Sequence, residues 1–345
     1  MGAILRAAVL LLFVFLPLFG TQNFTCASCH QKQVQSQPKT PMAHALELPA
    51  QCSILQKHPL MTFREGAYSF QIATADGKAI YTVTDGVNTV TTPIGWALGQ
   101  GGAGQTYIYQ RDGRYYESRV SYFEARGGLD ITMGQGHIAP KNLDEAAGRP
   151  LAAPEAQACF ECHDTHAVVD GALRTDTMIP GVQCGHCHQN AAQHLQAMQN
   201  GDSSTIPPRL AKLSTGAISN FCGQCHRTWD RVTMQGPHGI LNVRFQPYRL
   251  ANSKCWDESD ARISCIACHD PHQDLVRDAA AYDSKCLACH HSSGAHSARA
   301  DAPACPVAKS NCTTCHMPKL DLPGAHAKFT DHQIRIVKVN EAYPN

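Results

Sequence analysis

The stretch C-I-A-C-H-D-P-H, residues Cys265–His272, decides how this chain is interpreted. It begins with a C-x-x-C-H motif, the pattern at which haem is attached covalently to a protein. The spacing suits this chemistry because two thiols three residues apart can each form a thioether with one vinyl group of the same haem. The next residue, His269, is then held beside the ring, where its imidazole binds iron as the proximal ligand. The stretch therefore predicts a site for haem c.

The motif occurs seven times, and this repetition argues against the two common alternatives. A zinc site pairs two C-x-x-C units without requiring histidine after each, and a redox dithiol normally occurs once, beside a βαβ pattern. Seven sites use fourteen of the seventeen cysteines and predict seven covalently bound haem c groups. The predicted thioether cysteines are Cys26, Cys29, Cys159, Cys162, Cys184, Cys187, Cys222, Cys225, Cys265, Cys268, Cys286, Cys289, Cys312 and Cys315. The predicted proximal iron ligands are His30, His163, His188, His226, His269, His290 and His316.

The composition limits both the architecture and the partners. Charged side chains make up 17% of the 345 residues and the net charge is +1, so no basic surplus favours nucleic acid. Without a leader, about 46 residues remain for each haem, too few for a separate core around each one. The haems must therefore pack against one another. The predicted fold is a multihaem cytochrome c, with mainly short α-helices and irregular loops around stacked haems and a small antiparallel β insert.

Residues 1–20 contain one arginine followed by an apolar run of about fourteen residues, the length of a signal-peptide core. A membrane-spanning helix needs about twenty. This leader is interpreted as a signal peptide, with an uncleaved membrane anchor as the alternative because the cleavage site is poorly defined. Export agrees with c-type haem, which is attached outside the bacterial cytoplasm. The expected location is the bacterial periplasm or cell surface, and an uncleaved leader would also associate the protein with the membrane.

Residues 62–130 contain no cysteine and have a different pattern from the rest. Apolar and polar residues alternate around Tyr68–Ile72, and Asp-Gly pairs mark turns, which together predict a small antiparallel sheet. This insert would cap the haem stack or present a docking surface. The G-x-G-x-x-G stretch Gly99–Gly104 lacks the βαβ context of a dinucleotide site and is interpreted as a turn. The predicted divisions are a first haem segment at 21–61, the β-rich insert at 62–130, a linker at 131–158 and a six-haem domain at 159–345.

The sixth coordination position of each iron decides between an electron carrier and a catalyst. Twelve histidines remain besides the seven proximal ones, enough for bis-histidine ligation throughout, which favours low potentials and leaves no room for a substrate. His272 follows His269 by three residues, too few to reach the opposite face of the same haem, so it must serve a neighbouring haem. The same argument applies to His166, and a neighbour is also favoured for His194. The candidate distal ligands are His44, His58, His137, His166, His194, His272, His326 and His332.

The C-terminal half resembles bacterial multihaem c-type cytochromes of the tetrahaem-cytochrome-like superfamily, which includes pentahaem nitrite reductases and octahaem hydroxylamine oxidoreductases. The resemblance is carried by S-K-C-W at Ser253–Trp256, C-H-D-P-H at Cys268–His272 and C-T-T-C-H-M-P-K at Cys312–Lys319. It covers residues 150–335 and, more loosely, Cys26–His44. It implies stacked, mostly bis-histidine haems, with His272 and His332 as distal ligands. All seven motifs end in histidine, whereas the nitrite reductases often use a lysine at the catalytic haem, and no cross-linking tyrosine is identifiable.

These observations predict an exported seven-haem cytochrome that transfers electrons between redox protein partners and is not an enzyme. The alternative is a multihaem oxidoreductase that reduces or oxidises a small nitrogen or sulfur compound at one five-coordinate haem. A third hypothesis is a structural subunit of a larger electron conduit, in which the β insert makes the contact. No residue stands out as catalytic.

Overall fold

The computed structural model describes residues 25–290 and 305–344. The predicted leader, residues 1–20, lies outside the described residues. Within the described part, no helix is both long enough and apolar enough to cross a membrane. Secondary structure distinguishes an antiparallel sheet between Leu46 and Pro150 from a region of short helices that begins at Ala153.

The sheet has nine antiparallel strands and is the largest regular structure in the described chain. Its strands are β1 (Leu46–Glu47), β2 (Leu60–Glu65), β3 (Tyr68–Ala75), β4 (Lys78–Thr84), β5 (Thr89–Gly101), β6 (Gly104–Arg111), β7 (Arg114–Phe123), β8 (Gly128–Ile131) and β9 (Gly148–Pro150). From β2 to β8 each strand pairs with the next along the chain, while β1 pairs with β5 and β9 pairs with β7. The sheet is therefore a meander with two added short strands.

The prediction of a mainly helical fold with a small β insert is wrong. The sheet extends beyond the predicted insert, because β1 comes from the predicted first haem segment and β9 from the predicted linker. Strands of two and three residues are too short to show an alternating pattern, so sequence periodicity cannot detect them. Only the folded chain pairs them with longer strands, placing Leu46 opposite Leu98 and Gly148 opposite Ser118.

Alternation and turn chemistry explain the strands of the main meander. In β4, alternate side chains are buried, including Tyr81 and Val83. Asp-Gly turns with positive φ at both residues connect β3 to β4 and β6 to β7. The Gly99–Gly104 stretch surrounds the turn between β5 and β6, where three of its glycines have positive φ. This stretch is a hairpin turn in the structure.

The helices are short, and three further pairs of strands lie among them. The helices are α1 (Gln31–Ser36), α2 (Ser53–Lys57), α3 (Leu143–Ala147), α4 (Ala153–His163), α5 (Cys184–Cys187), α6 (Ala191–Gln199), α7 (Thr215–His226), α8 (Trp229–Gln235), α9 (Gln246–Ala251), α10 (Cys265–Cys268), α11 (Asp283–Leu287) and α12 (Cys312–His316). The paired strands are β10 (Asp164–Thr165) with β13 (Ile179–Pro180), β11 (Val168–Val169) with β12 (Ala172–Leu173), and β14 (Lys319–Leu322) with β15 (Ala327–Thr330).

The sheet has a conventional side-chain core, which also attaches it to the helical region. Its main cluster contains fully buried tyrosines and is covered by Ala146 and Ala147 of α3. A second cluster joins the sheet to α4 through Leu46, Ile108 and Phe160. The apolar side chains that fill the main cluster include Cys52, Leu55, Phe70, Ile72, Tyr81, Val83, Tyr107, Tyr109 and Val120.

The hairpin of β14 and β15 returns from the C-terminal end to the sheet. At its turn, His326 Nε2 lies 3.1 Å from an Asp130 carboxylate oxygen, and its ring packs edge-on against Phe123 with centroids 4.8 Å apart. Leu322 of the same hairpin is buried in a cluster with Val243. The C-terminal segment thus holds the sheet and the helical region together.

One glycine contact between the first segment and the helical region gives a test of the fold. Gly181 has φ +74°, and a Cβ there would overlap the Ala43 carbonyl oxygen. Gly171 has φ +75° but no other atom within 4 Å of its Cβ position. We expect Gly171→Ala to lower the free energy of unfolding by about 1 kcal/mol, the cost of a left-handed backbone. We expect Gly181→Ala to cost about 1–3 kcal/mol more, because the overlap must be relieved. Denaturant unfolding of both variants measures the difference, and equal losses would contradict the packing described.

Candidate functional site

The seven C-x-x-C-H motifs, called sites 1 to 7 in chain order, lie on or at the end of short helical turns. At sites 1, 3, 5 and 6 the backbone N–H of the histidine donates to the backbone carbonyl of the first cysteine, with N···O distances of 2.8, 2.9, 2.9 and 3.0 Å. Positions i, i+3 and i+4 of a helical turn share one face. The turn therefore presents both thiols and the imidazole on the same side, as attachment of one haem requires.

All seven sites contribute residues to the lining of one cavity of about 2660 Å³. Ordinary small-molecule pockets measure about 300–1,000 Å³, so this cavity accommodates several bulky groups. Of the predicted thioether cysteines and proximal histidines, all except Cys159 and Cys315 line it. The sequence separates these motifs by as many as 286 residues, from Cys26 to Cys312, and the fold brings them to one space.

The hydrogen bonds of the histidines fit a metal-binding role. A histidine that donates its Nδ1 proton to a carbonyl or carboxylate keeps the lone pair on Nε2 for a metal. Burial lowers the pKa of His163, and it lowers the pKa of His332 to about 4, so these rings are neutral at neutral pH. The acceptors of Nδ1 are the carbonyl oxygens of Ala45 for His163 (2.8 Å), Thr205 for His194 (2.6 Å), Arg335 for His316 (2.9 Å) and Thr330 for His332 (3.0 Å), and the Asp270 carboxylate for His272 (3.2 Å).

Three candidate distal histidines lie close to a proximal histidine on the lining of the cavity. When two imidazoles bind one metal from opposite sides, each metal–nitrogen bond is about 2 Å long, as for zinc. The centroids of the two rings are then about 6–6.5 Å apart. Three pairs of rings in the structure match this separation. They are His30 with His194 at 6.4 Å, His188 with His272 at 6.0 Å, and His269 with His332 at 6.2 Å.

These pairs join different parts of the chain. His272 follows the proximal histidine of site 5, yet it faces His188 of site 3. His194 follows site 3, yet it faces His30 of site 1. Each distal candidate thus lies against a site other than the one it follows, and sites 1, 3 and 5 are linked through their ligands.

The other five candidates lie elsewhere, and none of them lines the cavity in the described chain. Nε2 of His58 is 3.1 Å from the Tyr122 hydroxyl, and Nε2 of His326 is engaged by Asp130. Nδ1 of His44 contacts the Glu47 carboxylate at 2.9 Å. His137 and His166 are exposed. Of the eight candidates, His194, His272 and His332 line the cavity and these five do not.

A buried ion pair fixes the segment that carries His332. Arg249 Nε and Nη2 donate to the two carboxylate oxygens of Asp331 at 2.8 and 3.0 Å, with side-chain exposures of 1% and 0%. Arg335 reaches the same carboxylate at 2.6 Å. The sequence does not reveal this ion pair, because 82 residues separate its partners and no local pattern connects them.

Thiols of different sites lie close enough to interact electrostatically. Cys162 of site 2 interacts in this way with Cys225 of site 4, and Cys222 of site 4 with Cys265 of site 5. Sites 6 and 7 are also in contact, because Asp283 accepts hydrogen bonds from the backbone N–H groups of Asn311 and Cys312 at 2.7 and 2.8 Å. The attachment points are therefore packed closely enough to bring neighbouring haems together.

Two glutamines that the sequence did not single out also line the cavity. Gln37 and Gln246 each have a buried Oε1 atom without a hydrogen-bond partner in the described chain. The side chain of Gln246 lies beside the proximal histidine of site 4, His226. Nothing in their sequence context distinguishes them from exposed glutamines.

The Arg249–Asp331 pair predicts a large effect on stability. Asp331→Asn leaves a buried guanidinium without its counter-charge, so we expect a loss of about 3–5 kcal/mol in the free energy of unfolding. Asp176→Asn is the matched control, because Asp176 pairs with Arg174 at the surface and should change stability by at most about 1 kcal/mol. Denaturant unfolding of the two variants measures both values, and similar small losses would show that the buried pair does not stabilise the tail.

The same pair predicts a pH dependence with a defined sign. Burial acts to raise the pKa of Asp331, but the hydrogen bonds with Arg249 and the Gln333 backbone lower it below its ordinary value. A carboxyl group with a lowered pKa contributes stability above its unfolded pKa, near 4, and loses it as the pH falls through the folded pKa. Asp331→Asn should therefore show a smaller loss of stability on acidification than the wild type.

Comparison with known proteins agrees with the chemistry of the site. No protein-family model matches the chain, and no solved structure is significantly similar to it. Among curated proteins it is similar to the multiheme cytochrome MtrA of Shewanella baltica (strain OS185), with 22% identity over 237 residues. The match covers 66% of this chain and 59% of MtrA, so the chain spans less than two thirds of that relative. This chain therefore has sequence similarity to a multihaem cytochrome, in agreement with its repeated C-x-x-C-H motifs.

Proposed function

We propose that the protein is an exported seven-haem c-type cytochrome, which transfers electrons between redox protein partners through close-packed haems. The observation that carries this proposal is the single cavity lined by all seven C-x-x-C-H sites. Similarity to a multihaem cytochrome supports the same conclusion. The bacterial periplasm or cell surface is the proposed location, because c-type haem is attached outside the cytoplasm. The donor and acceptor would be proteins that reach the haems at the cavity mouth.

The polypeptide contributes attachment, orientation and exclusion of competing ligands. Haem c, when bound, supplies an iron that alternates between ferric and ferrous states and so carries one electron. The two cysteines of each site would hold the ring edge, and the histidine of that site would hold the iron. Nδ1 hydrogen bonds such as that from His163 to the Ala45 carbonyl keep Nε2 directed at the metal position.

The paired histidines favour a carrier over a catalyst at sites 1, 3 and 5. If both histidines of each pair held the iron, no position would remain for a substrate, and such ligation would favour lower potentials than histidine–methionine ligation. The distal residues proposed for these sites are His194, His272 and His332, in that order. Each pair also ties two chain segments together, so ligation and folding support one another.

Proximity of the cysteines suggests the order of the relay. Electrostatic interactions between thiols join site 2 to site 4 and site 4 to site 5. Cys184 lies near Cys26, which joins site 3 to site 1, and Cys187 lies near Cys222 and joins site 3 to site 4. Sites 5, 6 and 7 follow one another, because Cys286 lies near both Cys268 and Cys312. The proposed path runs through sites 1, 3, 4, 5, 6 and 7, with site 2 joined at site 4.

A second candidate function has one observation in its favour. Among the described residues, no imidazole ring pairs with His226 of site 4 at the separation seen for His194, His272 and His332, and sites 2 and 7 share this feature. What distinguishes site 4 is Gln246, which lies beside His226 and whose buried Oε1 has no hydrogen-bond partner among the described residues. A five-coordinate haem at site 4 would make the protein an oxidoreductase for a small nitrogen or sulfur compound.

The proposed function predicts the mass of the native protein. Each attached haem adds its full mass to the chain through two thioethers, so intact mass spectrometry under denaturing conditions should show seven additions. Far fewer additions, or zinc in place of iron, would refute the proposal. Ferric spectra of the same sample then separate the two candidate functions. Low-spin signals throughout, with no change on adding cyanide or nitrite, support the carrier, whereas a high-spin haem that binds them supports the oxidoreductase.

The proposed distal ligand of site 5 predicts a change at a single haem. We expect His332→Met to replace one bis-histidine iron by a histidine–methionine iron and to raise the potential of that haem, because thioether ligation favours the ferrous state. His58→Met is the control, because His58 contacts Tyr122 outside the cavity and should leave every haem unchanged. Near-infrared magnetic circular dichroism and redox titration of both holoproteins report the outcome. Unchanged spectra for the His332 variant would exclude it as a ligand.

A further inference from the structure

Three arginines gather where sites 2 and 4 meet. Arg227 directly follows the proximal histidine of site 4, Arg231 lies on α8, and Arg244 lies just before α9. The guanidinium carbon of Arg227 is 4.6 Å from the centroid of the Phe245 ring, and that of Arg244 is 5.1 Å from the same centroid. Arg231 and Arg227 both act electrostatically on Cys162 of site 2. These three residues are called the arginine cluster.

The arginine cluster has no negative partner within residues 25–290 and 305–344. None of the three forms an ion pair there. In contrast, Arg119 pairs with Glu65 and Arg249 pairs with Asp331. Arg227 Nη1 donates only to the Gly236 carbonyl at 3.1 Å, and Arg244 Nη1 contacts the sulfur of Met133 at 3.5 Å. Nε of Arg244 is buried without any hydrogen-bond partner.

Like charges and partial burial make this arrangement costly. Arg227 and Arg231 lie close enough to repel each other electrostatically. Burial and then Arg227 lower the pKa of Arg244. Buried charges in proteins are normally paired or hydrogen-bonded, because removing an ion from water without compensation is expensive. Stacking on Phe245 offsets part of this cost but supplies no negative charge.

We propose that the arginine cluster is an oxyanion-binding site that takes a carboxylate or a phosphate-like group. Guanidinium groups offer planar, paired N–H donors that match two oxygens of such a group. The buried Nε of Arg244 would gain the acceptor that it lacks in the polypeptide. A bound anion would also relieve the repulsion among the three arginines.

The oxyanion can come from two sources. One is a propionate of a haem attached at a neighbouring site, and this source rests on the proposed function. The other is an anion from solution, which is independent of it. The arginines do not line the haem cavity, so an external anion would not have to enter that cavity to reach them. In either case the anion lies beside Cys162 and Cys225, where it acts on two haem sites together.

The test uses the purified native protein and four variants. Arg244→Gln removes the positive charge and the paired N–H donors of the guanidinium, whereas Arg244→Lys retains only the charge. Arg231→Gln removes a second arginine of the cluster and leaves the stacking on Phe245 unchanged. Arg174→Gln is the control, because Arg174 lies at the surface in a pair with Asp176. Circular dichroism and haem content establish that each variant is folded. Isothermal titration with inorganic phosphate and redox titration are then carried out on all of them.

Binding of phosphate to the wild type, weakened about tenfold or more in Arg244→Gln and Arg231→Gln but not in Arg174→Gln, supports the site with a solution anion. Arg244→Lys should then lie between wild type and Arg244→Gln. Absence of phosphate binding, together with a lowered midpoint potential of one haem in Arg244→Gln alone, supports a propionate as the ligand. Absence of both effects, or equal weakening in Arg174→Gln, overturns the proposal. If the chain proves to carry no haem, the phosphate titration still tests the oxyanion site. Failure of the proposed seven-haem function can therefore be distinguished from failure of the oxyanion site.

Discussion

The hydrogen bond from histidine Nδ1 to a backbone carbonyl is the interaction on which the candidate site depends. His163, His194, His316 and His332 each donate this bond, which holds the ring and leaves the lone pair on Nε2, and all four residues line the cavity. A freely rotating imidazole would present either nitrogen, or a proton, to the metal position. The acceptors lie where only the tertiary fold can place them, since the Ala45 carbonyl is 118 residues from His163. Folding and metal-site geometry are therefore inseparable in this protein.

The sequence predicts what depends on neighbouring residues and fails where distant residues decide. Two thiols and an imidazole share one face of a helical turn, so C-x-x-C-H positions are legible from spacing alone. The chain between His269 and His272 is too short to span one haem, and the ring of His272 lies 6.0 Å from that of His188 of another site. In contrast, His58 and His194 look alike in sequence, and only the fold shows that Tyr122 engages the first. The extent of the sheet cannot be predicted from the sequence, because strands as short as β1 have no periodicity of their own.

The protein combines two kinds of interior. The sheet has an ordinary core of interlocking side chains, with Phe70, Ile72 and Tyr107 almost completely buried. The helical region instead surrounds a cavity, and its side-chain clusters are small, as in the group of Val232, Phe245 and Tyr248. Short helices with few apolar contacts gain little stability from one another. The sheet, the buried ion pairs and the attached groups must therefore supply the rigidity that the helices lack, which explains why the C-terminal hairpin contacts the sheet.

Sites that lie next to each other in space are not always neighbours in the sequence, and this difference is greatest at site 4. Its Cys225 lies near Cys162 of site 2, and its Cys222 lies near Cys265 of site 5. A positive charge close to an iron favours the reduced state, because it stabilises the added electron. The arginine cluster places such charge at this junction, so an electron arriving there would be held more firmly than at sites without it. An oxyanion bound to the cluster would offset that attraction, and the junction would then pass electrons onward more readily. The anion would in this way tune the branch point and leave the rest of the relay unchanged.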